Sequence, residues 1–170
     1  VLAAMRRKYN TRMFTAVLDT LRADIPGVTF TTDIIVGFPG ETEEMFQQTE
    51  EFVRKSRFLY VHIFPYSDRS GTEASKRTDK IDEAVKKDRA ARLKAVMFDV
   101  RKDVLTAMLD SVHTVLIEKI ENGTAVGHTE NYIETHIAAD AVPGIAENSL
   151  VPVTLTGFSD DLSYMDAVYA

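Results

Sequence analysis

Apolar residues near the start of the chain recur with the period of an amphipathic helix. They are Phe14, Val17, Leu18 and Leu21. This spacing places them on one face and predicts a first helix, with Thr11 as its N-cap and Ile25-Pro26-Gly27 as its stop. A second helix is predicted after Thr42, because its hydroxyl can cap a helix and two acidic residues follow it.

Two short runs rich in β-branched and aromatic residues follow these helical segments. The run from Val28 to Val36 contains Asp33 as its one charged residue, and it predicts a strand buried on both faces of a parallel sheet. The run from Phe58 to Phe64 predicts a second strand. The resulting order of helix, strand, helix and strand is typical of parallel α/β units.

The rest of the chain divides into one long helix and a β-rich tail. Neither Gly nor Pro occurs from Asp82 to Leu109, and an apolar stripe there predicts a helix that links two domains. After Ser111, short β-branched runs predict a small antiparallel barrel of about five strands, with Asn122-Gly123 as a type I′ hairpin turn. The predicted segments are 1–80, 81–110 and 111–170.

Charge is distributed unevenly along the chain. The formal net charge is −6, but residues 111–170 contain Lys119 as their single Lys or Arg against nine acidic residues. Such a segment should repel a phosphate backbone and attract basic partners. The long helix carries a basic stretch that we expect to be a solvated face rather than an RNA contact. This stretch consists of Lys86, Lys87, Arg89, Arg92 and Lys94.

Composition also limits the cofactors and the cellular compartment. The chain has no cysteine, so it can form no disulfide and cannot ligate zinc or an iron–sulfur cluster through thiolates. No apolar run approaches the length of a membrane span and no signal-peptide pattern is present, which predicts a cytoplasmic protein without a membrane partner. The chain opens at Val1 directly before a helical pattern, so we expect a fragment of a longer protein.

Two loops follow the predicted parallel strands, at the strand ends where α/β proteins bind ligands. The first is Gly37 to Glu41, whose glycines would let a ligand approach the backbone, although the turn could also serve geometry alone. It lacks the Lys-Ser/Thr pair of a phosphate loop. The second loop carries Tyr66, Ser67 and Arg69 and could hold a flat ring, or it could be a surface loop with an aromatic anchor.

Four segments taken together resemble the radical S-adenosylmethionine (SAM) methylthiotransferase family in order and approximate spacing. They are VLAAMRRKY, DIIVGFPGET, HIFPYSDRSGT and GHTENYI. The last three look most like the family branch that acts on threonylcarbamoyladenosine in tRNA. The resemblance covers essentially the whole chain. It implies a piece of a partial radical SAM (β/α) barrel, a linking helix and a TRAM-like β-barrel.

The resemblance also assigns roles to individual residues. Those implied in binding SAM are Arg7, Ile35, Gly37, Gly40, Glu41, Phe64, Tyr66 and Ser67. Those implied in contacting substrate or RNA are Arg69, Lys119, His128, Asn131 and Tyr132. For the guanidinium that faces the methionine carboxylate, Arg6 is a rival to its neighbour Arg7.

The implied parent enzyme uses SAM and two [4Fe–4S] clusters to add a methylthio group to C2 of the modified adenine beside the anticodon of tRNA. The family holds both clusters with cysteines, and this chain has none. We therefore expect the chain alone to be inactive, to contain no catalytic residue or metal ligand, and to bind neither cofactor. We also expect it to self-associate through exposed barrel edges.

Two alternatives to a tRNA-modifying enzyme follow from the same residues. Charge asymmetry would suit a parent that methylthiolates a basic ribosomal protein, whereas Arg69 favours tRNA because the protein-modifying branch commonly has an acidic residue there. A non-catalytic docking module is the other alternative. His113, His128 and His136 match no compact metal site, so we expect sheet or surface histidines.

Overall fold

The computed structural model describes all 170 residues and divides them into two compact units, 1–101 and 102–170. The longer elements of the first unit are α1 (Thr11–Asp24), β1 (Thr31–Val36), α2 (Glu43–Ser56), β2 (Tyr60–Pro65) and α3 (Glu83–Thr106), whose last turn belongs to the second unit. The strands of the second unit are β3 (Val112–Glu121), β4 (Thr124–Thr129), β5 (Glu134–Ala138), β6 (Leu150–Phe158) and β7 (Met165–Tyr169). No helix combines the length and the apolar content that crossing a bilayer requires.

Local capping residues explain where the first two helices begin. Thr11 is the first residue of α1 rather than its N-cap; the cap is Asn10, whose side chain accepts a hydrogen bond from the Met13 amide at 2.9 Å. Thr42 caps α2 as predicted and accepts from the Met45 amide at 3.2 Å. Both caps bond an amide that has no partner inside its helix.

The two strands of the first unit form a parallel pair, as the order of elements predicted. Register places Ile35 opposite Phe64, and both side chains are exposed, as is Asp33 on the same face. The prediction that β1 is buried on both faces is therefore wrong: the sheet has only two strands, and one of its faces stays open. The other face contributes to an apolar core with Val36 and Val61.

The long helix is confirmed, and its apolar stripe is buried. Leu93, Val96, Met97 and Val100 are at most 5% exposed, and they join the core of the first unit. The expected division into 1–80, 81–110 and 111–170 stays a prediction.

The second unit is a closed barrel in which the strands follow the order β3-β4-β5-β7-β6. Five strands agree with the prediction, but β5 and β7 pair in parallel, so the barrel is mixed rather than antiparallel. Alternate residues of the strands point inward and form the core, including Val115, Ile117, Ile137, Val153 and Leu155.

Two turns shape the first half of the barrel. Asn122 and Gly123 both have positive φ, +51° and +80°, and they join β3 to β4 as the type I′ signal predicted. The segment between Thr124 and Ala138 divides into β4 and β5 around Tyr132, which has φ +62°. The Thr129 hydroxyl, which accepts from the Ile133 amide at 3.0 Å, stabilises this break.

Candidate functional site

A cavity of about 670 Å³ lies in the first unit at the carboxyl ends of β1 and β2. Six of the eight residues implied in SAM binding line it, namely Arg7, Ile35, Glu41, Phe64, Tyr66 and Ser67. Arg69, from the implied substrate set, lines it as well.

 Five of these six side chains are partly or fully exposed, whereas the sixth, Glu41, is only 4% exposed. Residues of both candidate loops, the turn from Gly37 to Glu41 and the loop after β2, therefore line the same cavity.

The first wall of the cavity is the turn from Gly37 to Glu41. Gly37 and Gly40 have φ of +73° and +80°, a region that favours glycine, and neither of them lines the cavity. A Cβ on Gly37 would come within 2.4 Å of the Lys86 Cγ atom, so the close approach here is to another side chain of this unit. The Gly37 amide donates a hydrogen bond to Glu41 Oε2 at 2.7 Å, which closes the turn.

The second wall is the loop after β2. Its Tyr66 ring meets the Phe38 ring of the first wall edge-on, with centroids 5.2 Å apart, and the Tyr66 amide donates to the Val36 carbonyl at 2.8 Å. The Tyr66 hydroxyl donates to Asp68 at 2.8 Å, and Lys80 also bonds this carboxylate. Hydrogen bonds from Lys80 and then from Tyr66 lower the pKa of Asp68, while burial and the Asp68 bond raise the pKa of Tyr66.

Two arginines of the basic stretch on α3 form ion pairs with the first wall and with α2. Arg89 Nη1 donates to Glu41 Oε2 at 2.7 Å and to the Glu41 carbonyl at 3.1 Å, and both side chains are nearly fully buried. Arg92 pairs with Glu43 at 2.8 Å and with Glu50 at 3.0 Å, and its hydrogen bond lowers the pKa of Glu43.

The expectation of a solvated face is therefore wrong for Lys86 and Arg89, whereas Arg92 is half-buried and Lys87 and Lys94 are exposed. The sequence contains an indication that Lys86 and Arg89 are buried. Lys86 and Arg89 continue the stripe of Leu93, Val96 and Val100 toward the helix start, at the same three- and four-residue spacing. Asp33, the one charged residue of the apolar run that forms β1, also lines the cavity, and its type and position in the run did not predict a role there.

The residues implied in substrate or RNA contact fall into two groups. Arg69 lies in the first unit and lines the cavity with the implied SAM residues. The other four lie in the second unit: Lys119 on β3, His128 on β4, and Asn131 and Tyr132 in the turn after it. Tyr132 is 87% exposed, whereas the Asn131 side chain accepts a hydrogen bond from the Thr129 hydroxyl at 2.6 Å and so holds the turn.

Each histidine of the barrel contacts a glutamate. The pairs are His113 with Glu130 at 2.8 Å, His128 with Glu118 at 3.1 Å, and His136 with Glu134 at 2.9 Å. His136 also stacks on Tyr164 with ring centroids 3.7 Å apart. No group of three or more His, Asp or Glu residues is arranged to hold a metal ion.

The arrangement suits a ligand with a flat ring and a charged end. Phe64 and Tyr66 line the cavity and offer aromatic surface to such a ring. Arg7 and Arg69 line the same cavity and can pair with an anionic group, whereas Asp33 can accept from a hydroxyl or pair with a cation.

Comparison with known proteins gives a consistent set of relatives. The chain is 40% identical over 139 residues to the threonylcarbamoyladenosine tRNA methylthiotransferase MtaB of Bacillus subtilis, an alignment covering 79% of the chain and 31% of the relative. It is 39% identical over 132 residues to the tRNA-2-methylthio-N(6)-dimethylallyladenosine synthase of Alkaliphilus oremlandii, covering 76% and 28%. The synthase of the same name from Mycobacteroides abscessus is 44% identical over 117 residues, covering 69% and 23%.

Other comparisons add little. No family model matches the chain. Among solved structures, a multidomain protein with nucleic acid binding domains from Streptococcus pneumoniae covers 37% of this chain and 23% of its own, at 9% identity and a TM-score of 0.34, which is too low to support an argument.

The sequence relatives belong to the same family that the motifs at the cavity resemble. The chain spans about a third or less of the length of the curated relatives it matches. Identity of this level over more than two thirds of the chain agrees with the resemblance that the two cavity loops carry. The chain therefore belongs to the radical SAM methylthiotransferase family, of which it represents one segment.

Proposed function

We propose that the chain is a segment of a tRNA-modifying radical SAM methylthiotransferase, and that its cavity binds the adenosine end of SAM. The single observation that carries this proposal is the 40% identity to a tRNA methylthiotransferase across 79% of the chain. The two loops that carry the resemblance also line one cavity. In this proposal the first unit is part of a partial radical SAM (β/α) barrel and the second unit is a TRAM-like domain.

The residues at the cavity fit the adenosine end of SAM. A volume of about 670 Å³ is within the range of small-molecule sites, and Phe64 and Tyr66 offer surface for an adenine ring. Arg7 would pair with the methionine carboxylate as a charge-assisted hydrogen-bond donor. Gly37, Gly40 and Glu41 would contribute by shaping the first wall rather than by touching the ligand.

The residues do not fit an iron–sulfur cluster. The chain has no cysteine, and thiolates are the ligands of such clusters in this family. The clusters would have to be held by cysteines outside this segment. We therefore expect the isolated chain to be inactive and to bind SAM very weakly or not at all, because the cluster that anchors the methionine end would be held by residues outside it.

The substrate that we favour is threonylcarbamoyladenosine beside the anticodon of tRNA. The Bacillus subtilis relative is named for this nucleoside, while two others are named for the dimethylallyl derivative. Arg69 at the cavity supports a nucleic-acid substrate, because a guanidinium can pair with a phosphate. Lys119, His128, Asn131 and Tyr132 would be further RNA contacts.

Deletion of the gene that encodes the parent protein would test the reaction and the nucleoside together. We expect tRNA from the deletion strain to lose 2-methylthio-threonylcarbamoyladenosine and to accumulate the form without the methylthio group, as measured by mass spectrometry of digested nucleosides. Loss of the dimethylallyl derivative instead would change the proposed substrate. Unchanged tRNA would contradict the proposal.

Charge favours a second candidate, a parent that methylthiolates a basic ribosomal protein. Residues 102–170 carry Lys102 and Lys119 against eleven acidic residues, a net charge of −9. This surface should attract Lys- and Arg-rich partners and repel phosphates. A binding assay of the parent with an anticodon stem–loop and with a basic ribosomal protein would separate the two candidates, since retention of the protein alone would contradict a tRNA substrate.

A further inference from the structure

One helix contacts both walls of the candidate site through buried charged side chains. Arg89 and Glu41 are 48 residues apart, and their side chains are 5% and 3% exposed. Arg89 Nη1 bonds the Glu41 carboxylate and the Glu41 carbonyl, while the same carboxylate oxygen accepts from the Gly37 amide. The Arg89 guanidinium therefore bonds Glu41, the last residue of the turn. The Glu41 carboxylate in turn bonds the amide of Gly37, the first residue of the turn.

Lys86, one turn before Arg89, reaches the second wall. Its side chain is 7% exposed, and its stem packs against Gly37. Its ammonium group lies 5.5 Å from the centre of the Tyr66 ring and 2.6 Å from Glu83 Oε1. A cation over an aromatic face is attracted to the ring, so Lys86 favours one position of Tyr66 relative to the first wall.

The orientation of the Arg89 guanidinium favours its two bonds to Glu41 over a closer ion pair with Glu43. Arg89 Nε makes no hydrogen bond and stays 3.7 Å from Glu43 Oε2, while Nη1 makes two bonds to Glu41. Burying an ion pair is often no more stabilising than apolar packing, because both charges lose their hydration. Attachment of α3 to α2 is also served by Arg92, which pairs with Glu43 and Glu50 at partly exposed positions.

We propose that Arg89 and Lys86 are positioning residues of the SAM site, acting through Glu41 and Tyr66 respectively. Neither residue lines the cavity, and each holds a residue that does. This inference rests on the proposed function, because it takes the adenosine end of SAM as the ligand. In this proposal, α3 keeps the two walls of the cavity at fixed positions relative to each other.

Hydrogen–deuterium exchange on the 170-residue chain tests the local part of the inference. In Arg89→Met, we expect faster exchange of the amides from Gly37 to Glu41, because the Glu41 carboxylate loses the partner that orients it toward the Gly37 amide. Arg92→Met is the matched control, since it removes a guanidinium from the same helix but no contact to the turn, and should leave those amides unchanged. Equal exchange in the two variants would overturn the role of Arg89.

The binding part is tested in the full-length parent with S-adenosylhomocysteine as the probe, by isothermal titration calorimetry. We expect at least a tenfold loss of affinity in Arg89→Met and less than a twofold change in Arg92→Met. Lys86→Met keeps the stem against Gly37 and loses the cation over Tyr66, so we expect a loss of about threefold or more. Failure of the wild-type parent to bind the probe would instead contradict the proposed SAM site.

Two double variants separate positioning from stability. E41L/R89M removes both buried charges and the acceptor for the Gly37 amide, whereas E41Q/R89M removes the charges and retains an acceptor. We expect both to unfold within a few degrees of each other, with probe affinity recovered only in E41Q/R89M. Affinity that follows the melting temperature across all variants would show a structural role and overturn the inference.

Discussion

At the scale of single residues, Gly37 and Gly27 have nearly the same positive φ in different surroundings. Their φ values are +73° and +74°. An added Cβ would lie 2.4 Å from the Lys86 Cγ at Gly37, whereas at Gly27 no heavy atom beyond the neighbouring residues of the chain lies within 4 Å. Backbone strain is therefore common to both positions, and crowding is specific to Gly37. Comparing the two separates these effects.

We expect Gly37→Ala to lower the free energy of unfolding by about 2–4 kcal/mol, from backbone strain plus overpacking. Gly27→Ala should cost about 1–2 kcal/mol, from strain alone. Urea denaturation of both variants measures the difference. Equal costs would mean that Lys86 moves aside without penalty, which would also weaken the case that it is held in place.

Asp161 is a residue whose effect on stability depends on pH. Hydrogen bonds from Ser163 and then Ser159 lower its pKa to about 2, because they favour the charged carboxylate. A depressed pKa contributes stability that is present above the ordinary value of 3.8 and is lost as the pH falls through about 2. The carboxylate thus holds the turn between β6 and β7 in its ionised form.

We expect Asp161→Asn to be less stable than the wild type at pH 6, with a difference that shrinks below pH 4 and disappears near pH 2. Thermal unfolding across this range measures it. Asp160→Asn, an exposed neighbour, controls for the loss of one acidic charge from the same turn. A difference between wild type and Asp161→Asn that stays constant down to pH 2 would contradict the assignment.

At the scale of elements, the pairing of β3 with β4 depends on one glycine. A Cβ on Gly127 would lie 1.9 Å from the Leu116 carbonyl oxygen, and the register between the strands shifts immediately beside this point. Gly157 occupies a comparable shift between β6 and β7, where the nearest atom to an added Cβ is Asp166 Oδ2 at 3.5 Å. Gly127, part of the GHTENYI motif, is therefore required for the approach of two backbones.

We expect Gly127→Ala to destabilise the barrel by at least about 2 kcal/mol, because a backbone atom cannot move away as a flexible side chain can. Gly157→Ala should change stability by less than about 1 kcal/mol. Chemical denaturation followed by circular dichroism tests both variants. A mild effect at Gly127 would mean that β3 and β4 can separate locally at little cost.

At the scale of the whole molecule, one face of the parallel sheet is open. Ile35 and Phe64 are paired across β1 and β2 and are 36% and 50% exposed, and Tyr60 on the same face is 43% exposed. Parallel sheets are normally covered on both faces. Exposed apolar surface of this kind favours association between copies.

We expect the 170-residue chain to self-associate as its concentration rises, as measured by light scattering. Ile35→Thr with Phe64→Thr should reduce the apparent mass, since it removes apolar area from the open face and retains β propensity. Val112→Thr with Leu150→Thr, at exposed positions of the barrel, is the matched control. A monomer at all concentrations would contradict the expectation.

Local sequence patterns determined most of the elements and the family. Helical spacing identified α1 and α3, Thr42 marked the start of α2, and Asn122-Gly123 marked the first hairpin of the barrel. These features depend on near neighbours in the chain, so the sequence alone contains them. The two loops at the cavity were also recognisable, because they follow directly from the ends of two strands.

Contacts between distant residues required the tertiary structure. The parallel pairing of β5 with β7 and the open face of the sheet depend on which strands meet in space. Lys86 and Arg89 share the helical spacing of the buried stripe of α3, but only the packing of α3 against a turn 48 residues before Arg89 shows which groups surround them. A charged side chain can be buried when its partner is supplied by another element, and the partner's position is not encoded in the local pattern.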